Sequence, residues 1–255
     1  MNWSAYDTSP AMPNPPTGKP KAWLSWSSGK DSAWTLHMLR TRGDVEVVGL
    51  LTTLNREAGR VAMHAVREEL LDVQAATAGL PLIKVFLPHP CSNATYEEAM
   101  RAAIAQAQDD GITHMAFGDL FLEDVRRYRE KMLAGTGIQP IFPLWGQPTG
   151  QLADRMVSAG LRAYLTCVDP KQLSPAFAGR TFDEWLLKDL PDSVDPCGER
   201  GEFHTFTHAG PMFKEPVPIL PGDVITRDGF VFADLALDQR STNRPPGPLR
   251  RRATP

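Results

Sequence analysis

The sequence has little from which a secreted or membrane protein is built. Three cysteines, Cys91, Cys167 and Cys197, form an odd set without short spacings, which argues against a disulfide scaffold and for a reducing compartment. No uncharged apolar run approaches the ~18 residues needed to span a bilayer. The start, Met1-Asn2-Trp3-Ser4-Ala5-Tyr6-Asp7, lacks the basic and apolar regions of a secretory signal. Positive charge is also scarce where a polyanion binder would need it. Five of the 27 basic residues lie in Arg240–Pro255, which holds no acid, so residues 1–239 carry 22 basic against 30 acidic groups. That body is a poor generic nucleic-acid binder, because affinity for polyphosphate comes from neutralising phosphates with Lys and Arg. The expectation is a soluble, cytoplasmic chain without a membrane partner. Its 42% hydrophobic and 22% charged content is that of a globular protein.

The ends are set apart by composition. Residues 1–20 (Pro13-Asn14-Pro15-Pro16) and 240–255 (Arg244-Pro245-Pro246, then Arg250-Arg251-Arg252) bury too little apolar surface to offset ordering entropy, and read as a leader and a basic tail. Between them, apolar and β-branched runs at Ala22–Trp26, Val45–Thr53, Leu82–Leu87, Ile112–Phe117, Ile138–Phe142 and Leu161–Val168 read as strands. Helical spacing covers Ala33–Leu39, His64–Ala78, Tyr96–Ala107, Glu123–Leu133 and Leu152–Ala159. This alternation predicts an α/β fold, a doubly wound and mainly parallel sheet over residues 21–168. After Val168 the pattern becomes irregular, with a short helix over Phe182–Leu190 and strands at Phe203–Thr207 and Val224–Ala233. Residues 169–239 are expected to form a smaller α+β subdomain on the sheet's edge.

Ligands in open α/β sheets lie at the carboxyl ends of strands, and the sharpest motif sits there. Ser27-Ser28-Gly29-Lys30-Asp31-Ser32 follows the first strand and precedes a helix. Small residues let backbone amides approach an anion, the helix N-terminus adds partial positive charge, and Lys30 adds a full one on what reads as an exposed turn. The conventional P-loop does not fit: its first glycine falls on Leu24 and its Ser/Thr on Asp31. A second polar concentration is Cys197-Gly198-Glu199-Arg200-Gly201-Glu202-Phe203-His204-Thr205. Its carboxylates and histidine are proton-transfer groups, and its glycines allow close backbone approach. Cys197, His204 and His208 lack a fourth ligand for zinc, so no metal site is assigned to protein side chains alone.

The string Ser-x-Gly-Lys-Asp-Ser resembles the pyrophosphate loop of the N-type ATP pyrophosphatases, most of which have Gly where Ser28 stands. Gly-Glu-x-Gly-Glu-Phe-x-Thr, over residues 198–205, resembles the signature of one branch, the diphthine–ammonia ligase family. Phe117-Gly118-Asp119 with Arg126 and Glu130, Pro143-Leu144-Trp145, and Pro211-Met212-Phe213 are similar to further segments of that family. The resemblance spans residues 22–213.

It implies an adenine nucleotide alpha hydrolase-like fold and an ATP-dependent amide-forming ligase that releases AMP and pyrophosphate. ATP and ammonia would be substrates and Mg²⁺ a cofactor. The acceptor carboxylate stays open between protein-borne diphthine and a small molecule. By carry-over, Ser27, Ser28, Gly29, Lys30, Asp31 and Ser32, with Gly118 and Asp119, would hold the nucleotide. Arg126, Glu130 and Thr205 would meet substrate, and Lys30, Glu199, Glu202 and His204 would carry the chemistry, with Glu202 or His204 as proton acceptor. After the second strand, where the family meets adenine and ribose, His64 or Arg67 would reach the substrate, with helix-capping surface residues the equal alternative. The plain alternative for Arg126 and Glu130, four apart on a helix, is a surface ion pair. Two other functions use such a loop: a nucleotide sensor without turnover, which has no need of the second acidic motif, and an RNA-modifying ATP pyrophosphatase, which the acidic body and missing Cys-x-x-Cys disfavour.

Overall fold

A computed structural model describes residues 18–57, 60–61 and 66–242. Nearly all of the expected leader and tail, and His64, lie outside the described residues. Five parallel strands form the first sheet in the order β4-β2-β1-β5-β6. They are β1 (Lys21–Ser25), β2 (Glu46–Asn55), β4 (Leu82–Leu87), β5 (His114–Ala116) and β6 (Gln139–Ile141). A two-residue strand β3 (Arg60–Val61) pairs antiparallel with the end of β2. Helices α1 (Lys30–Arg42) and α2 (Glu68–Ala78) cover one face, and α3 (Asn93–Asp109) and α4 (Glu123–Leu133) the other. The core is divided accordingly. Leu36, Leu39, Leu70 and Leu71 pack with Leu24 and Leu50 on one side, while Met100, Ile104 and Leu133 pack with Trp23 and Met115 on the other. Each fully buried Leu or Ile contributes roughly 1.5–3 kcal/mol, so both faces hold the sheet.

This is the doubly wound α/β architecture expected. The chain winds outward from β1 in one direction through β2 and β4, then returns to β5 on β1's other side. The strand order therefore reverses between β1 and β5, which makes the gap beyond their carboxyl ends the ligand crevice of such sheets.

The second sheet differs from the sequence expectation in two respects. Its order is β8-β7-β10-β9, all antiparallel, with β7 at Arg162–Val168, β8 at Phe203–Ala209, β9 at Ile219–Arg227 and β10 at Phe230–Leu237. The strand at Leu161–Val168, expected at the end of the parallel sheet, pairs instead with β8 and β10. Its near-continuous apolar run suits burial on both faces and carries no sign of which partner it takes. The single strand expected over Val224–Ala233 is a hairpin turned at Asp228-Gly229, both at positive φ (51° and 83°), as a two-residue Asp-Gly connection requires. Helix α5 (Thr149–Ser158) leads into this sheet, and the short α6 (Glu184–Asp189) packs against α5. Among the described residues no helix is long and apolar enough to cross a membrane.

Candidate active site

The crevice between β1 and β5 is closed over by the loop that leads into β8, leaving a cleft of about 290 Å³. Its first wall is the turn from β1 into α1. Trp26 is buried and donates through Nε1 to Gln74 Oε1 (2.7 Å). Gln74, wholly buried on α2, donates in turn to the carbonyls of Ser28 (3.0 Å) and Thr207 (2.6 Å). Ser28 O also accepts from Thr207 N. These bonds hold Ser28 at φ 70°, in the left-handed region where a side chain is strained and glycine is not. Its hydroxyl is buried without a hydrogen bond. Gly29 then caps α1 without a side-chain cap bond, and the helix N-terminus, with its partial positive charge, opens on the cleft.

Ser27, Lys30, Asp31 and Ser32 line that cleft. Ser28 and Gly29, expected with them, shape the turn and do not line the cleft. Lys30 departs from expectation: it is 2% exposed rather than standing on an open turn. Its Nζ donates to Asp31 Oδ2 (2.8 Å) and to the Cys197 carbonyl, and its backbone N–H to Thr205 Oγ1 (3.0 Å). Burial works against the ammonium, but Asp31, Cys197 and Glu199 outweigh it and raise its pKa. Lys30 is thus a charged rivet between α1 and the second motif, as well as part of the wall.

The second wall follows β5. Gly118 packs so closely on α1 that a Cβ there would stand 3.1 Å from the Asp31 carbonyl carbon and the Ser32 nitrogen. Asp119 lines the cleft, and burial raises its carboxyl pKa against the opposing pull of Arg129. Arg129 itself enters the cleft from α4, 3.8 Å from Asp119 Oδ2 and 5.1 Å above the Phe117 ring. Its Nε is buried without a hydrogen bond.

Arg126 and Glu130, expected here, are elsewhere. They pair with each other (2.8 Å), and Arg126 lies over Phe142 and Trp145 beside a different hollow. The inward group is Arg129, which lies outside the expected set.

The third wall is the loop before β8. Buried Asp195 gathers it, accepting from the amides of Cys197 (2.9 Å) and Glu199 (3.3 Å) and from Thr149 Oγ1 (2.7 Å). Gly198, at φ 67°, sits where a Cβ would meet the Phe203 carbonyl at 2.8 Å. Glu202 is 1% exposed, and both oxygens accept backbone amides, of Asp195 and of Arg200 (each 2.9 Å). It shapes the loop and does not line the cleft, contrary to its expected place on the acceptor side. Glu199, His204 and Thr205 do line it. Glu199 accepts from Leu120 N (2.8 Å), and burial raises its pKa to about 7 despite that bond. Burial, reinforced by Lys30, lowers His204 to about 4.

Cys197, buried with its Sγ toward the Thr149 carbonyl, has its thiol pKa pushed up by burial. Arg67 does not turn to the cleft; it and Arg60 pair with Asp234 of β10.

A switch-point cleft walled by a strand-to-helix loop, a Gly-Asp segment and an acidic loop from an antiparallel sheet places the chain among two-sheet α/β proteins with a ligand crevice at the carboxyl ends of the parallel strands. Residues 20–140 match the family described as "Diphthamide synthase N-terminal domain", and residues 148–229 the "Diphthamide synthase C-terminal domain"; the chain belongs to the diphthine–ammonia ligase family. Among similar proteins, the Diphthine–ammonia ligase of Danio rerio is 26% identical over 235 residues, 81% of this chain and 89% of that one. Those of Bos taurus and Homo sapiens are each 24% identical over 232 residues, 82% of this chain and 86% of theirs.

Proposed function

We propose that this chain is an ATP-dependent amide-forming ligase that adenylates a carboxylate and then amidates it with ammonia. The observation that carries the reading is the convergence, at a helix N-terminus in the switch-point cleft, of Asp31, Asp119, Arg129 and Glu199. Anion-binding backbone, a guanidinium and three carboxylates in one small space suit a polyphosphate, its counter-ion and a proton acceptor together.

An oxygen of the acceptor carboxylate attacks the α-phosphorus, and the bond to the bridging oxygen breaks. Pyrophosphate leaves with the electron pair beside the α1 N-terminus, where fixed donors lower the barrier most. Ammonia then attacks the acyl carbon of the mixed anhydride, and AMP departs with the C–O bond electrons. The nitrogen must lose a proton, and a base works best with a pKa near the working pH. Glu199, at about 7, meets that condition. His204, at about 4, is too weak a base, and Glu202 is committed to backbone amides.

Among the described residues no three His, Cys, Asp or Glu side chains gather to hold a metal by themselves. Mg²⁺ usually takes one or two carboxylates with substrate phosphates and water. Asp31 Oδ1 and Asp119 Oδ2, both buried without a hydrogen bond, fit that role. The ion would supply charge neutralisation on the phosphates.

The test is incubation of the full chain with α-labelled ATP, Mg²⁺, ammonium and cell extract as the acceptor source, whether the acceptor is protein-borne diphthine or a small molecule. AMP and pyrophosphate in equal amounts are expected. Labelled ADP as the main product refutes the reading.

A further inference from the structure

The second sheet has an open edge. Three of the six exposed large hydrophobic side chains among the described residues, Leu220, Val224 (55% exposed) and Ile225 (48%), lie on β9. Every residue of that strand after Ile219 is exposed. β9 ends the strand order β8-β7-β10-β9 and pairs with β10 alone. An exposed apolar edge strand is a ready template for pairing with another chain. Here the edge is blunted at one end only. Pro221 has no N–H to offer, which confines pairing to the residues between it and the Asp228-Gly229 turn.

That short edge is complementary to itself. Arg227 and Phe230 flank the two-residue turn as an opposed pair, so they exchange the hairpin's first hydrogen bonds. By alternation Ile225 also turns its backbone groups toward β10, while Val224 and Thr226 turn theirs to the open side. Two β9 strands laid antiparallel about a two-fold axis at Ile225 would therefore bond Val224 of each copy to Thr226 of the other. Ile225 would meet itself at a position without backbone hydrogen bonds, where side chains approach closest. Beyond it, Asp223 would stand opposite Arg227 at both ends. Neither charge is strongly engaged in the single chain. Asp223 has no ion pair among the described residues, and Arg227 lies over Phe232 with only a 3.6 Å contact to its exposed neighbour Asp228. A two-fold centred on Asp223 would engage the whole strand, but it sets that carboxylate against itself, and like charges directly opposite are destabilising.

We propose that β9 is a self-association edge, through which two copies of this chain join in the register centred on Ile225 and form one continuous antiparallel sheet. Five paired residues a side cover less surface than the ~1,200–2,000 Å² of a stable interface, so the dimer is reversible and depends on concentration. The proposal is independent of the ligase reading.

Sedimentation velocity on the full chain, from about 1 to about 300 μM, reads the equilibrium. A dimer is expected at the upper end. Asp223→Arg and Arg227→Asp should each weaken it by about tenfold, because the two-fold repeats the like-charge contact at both ends. The two changes together should restore the parent's association. In a background with the exposed Cys91 changed to serine, Ile225→Cys should give a disulfide-linked dimer on mild oxidation and Leu220→Cys should not. A chain that stays monomeric throughout overturns the proposal. So does a dimer that the single charge reversals leave untouched, one that the paired reversal fails to restore, or equal cross-linking from positions 225 and 220. Where a charge variant melts well below the parent, the cross-linking result decides.

Discussion

Replacing Ser28 by glycine should stabilise the protein, although serine makes the larger side chain and sits in a buried position. At φ 70° an L side chain costs about 1–2 kcal/mol that glycine does not. The Ser28 hydroxyl is buried without a partner, a desolvation cost of about 1–3 kcal/mol. Against these stand the greater freedom of glycine in the unfolded chain, about 0.5–1 kcal/mol, and the lost packing of one methylene, about 0.8 kcal/mol. The balance favours glycine by between about 0.2 and about 3.7 kcal/mol. In a protein of this size that raises the melting temperature by about 2–4 °C per kcal/mol. The carbonyl bonds to Thr207 N and Gln74 survive the change, so nucleotide affinity should hold. Thermal melts and urea titrations of the two proteins, with an unchanged m-value, provide the measurement. A melting temperature lowered by the substitution would refute the reasoning, and would mean that the hydroxyl is satisfied or the backbone unstrained.

Glu199→Gln should remove an activity limb. The parent's kcat/KM should rise through about pH 7 as Glu199 loses its proton, and the variant should be nearly inactive and flat across that range. Stability has the opposite sign. A carboxyl raised from 4.5 to about 7 keeps its proton in the folded state where the unfolded chain has released it. Its contribution therefore falls as pH rises from about 4.5 to 7, so the variant should gain on the parent above pH 7 and match it below pH 4.5. The ceiling is about 3 kcal/mol, reduced by solvent near the partly exposed group. Gly118→Ala should cost about 1–3 kcal/mol by pushing on the first turn of α1 and should weaken ATP binding in calorimetry. Lys30→Met should lower stability by about 3–5 kcal/mol, because it strands the Asp31 carboxylate and the Cys197 carbonyl; a melt within 1 °C of the parent would show that the rivet carries no load.

What the sequence made legible was governed by strong local patterns. Alternating β-branched runs and helical stripes locate the doubly wound sheet, and α4 begins and ends at Glu123 and Leu133 as its amphipathic spacing suggests. The loop between β1 and α1 is visible because small residues, a strand and a helix coincide. Side-chain direction within α4 is not visible. That helix buries Leu133 alone and leaves the rest of its apolar stripe, Val125, Tyr128 and Met132, at least partly exposed, so the stripe is a poor guide to which of Arg126 and Arg129 turns toward the cleft. Gln74 is hidden for a related reason: in sequence it is a polar residue inside an apolar stripe, and its three bonds reach partners 46 to 133 residues away. Glu199 and Glu202 read as equivalent acids in one motif. Their division into a cleft carboxylate and a loop organiser depends on the fold of residues 195–202. The Asp228-Gly229 turn, by contrast, carried a local signal that would have split the last strand correctly.

The pairing of Ser28 with Thr207 and of Lys30 with Thr205 has a consequence for the order in which the protein comes into being. A growing chain that has emerged as far as β6 holds every strand of the parallel sheet, and domains tend to fold as they appear. Yet the loop after β1 still lacks the strand that fixes its backbone, which arrives more than sixty residues later. A nascent sheet of this kind presents half a cleft. Nucleotide can favour the finished arrangement alone, since a ligand stabilises only the state that binds it. Occupancy by ATP should then melt the two sheets together, as one cooperative unit, where the empty protein has the means to let them part.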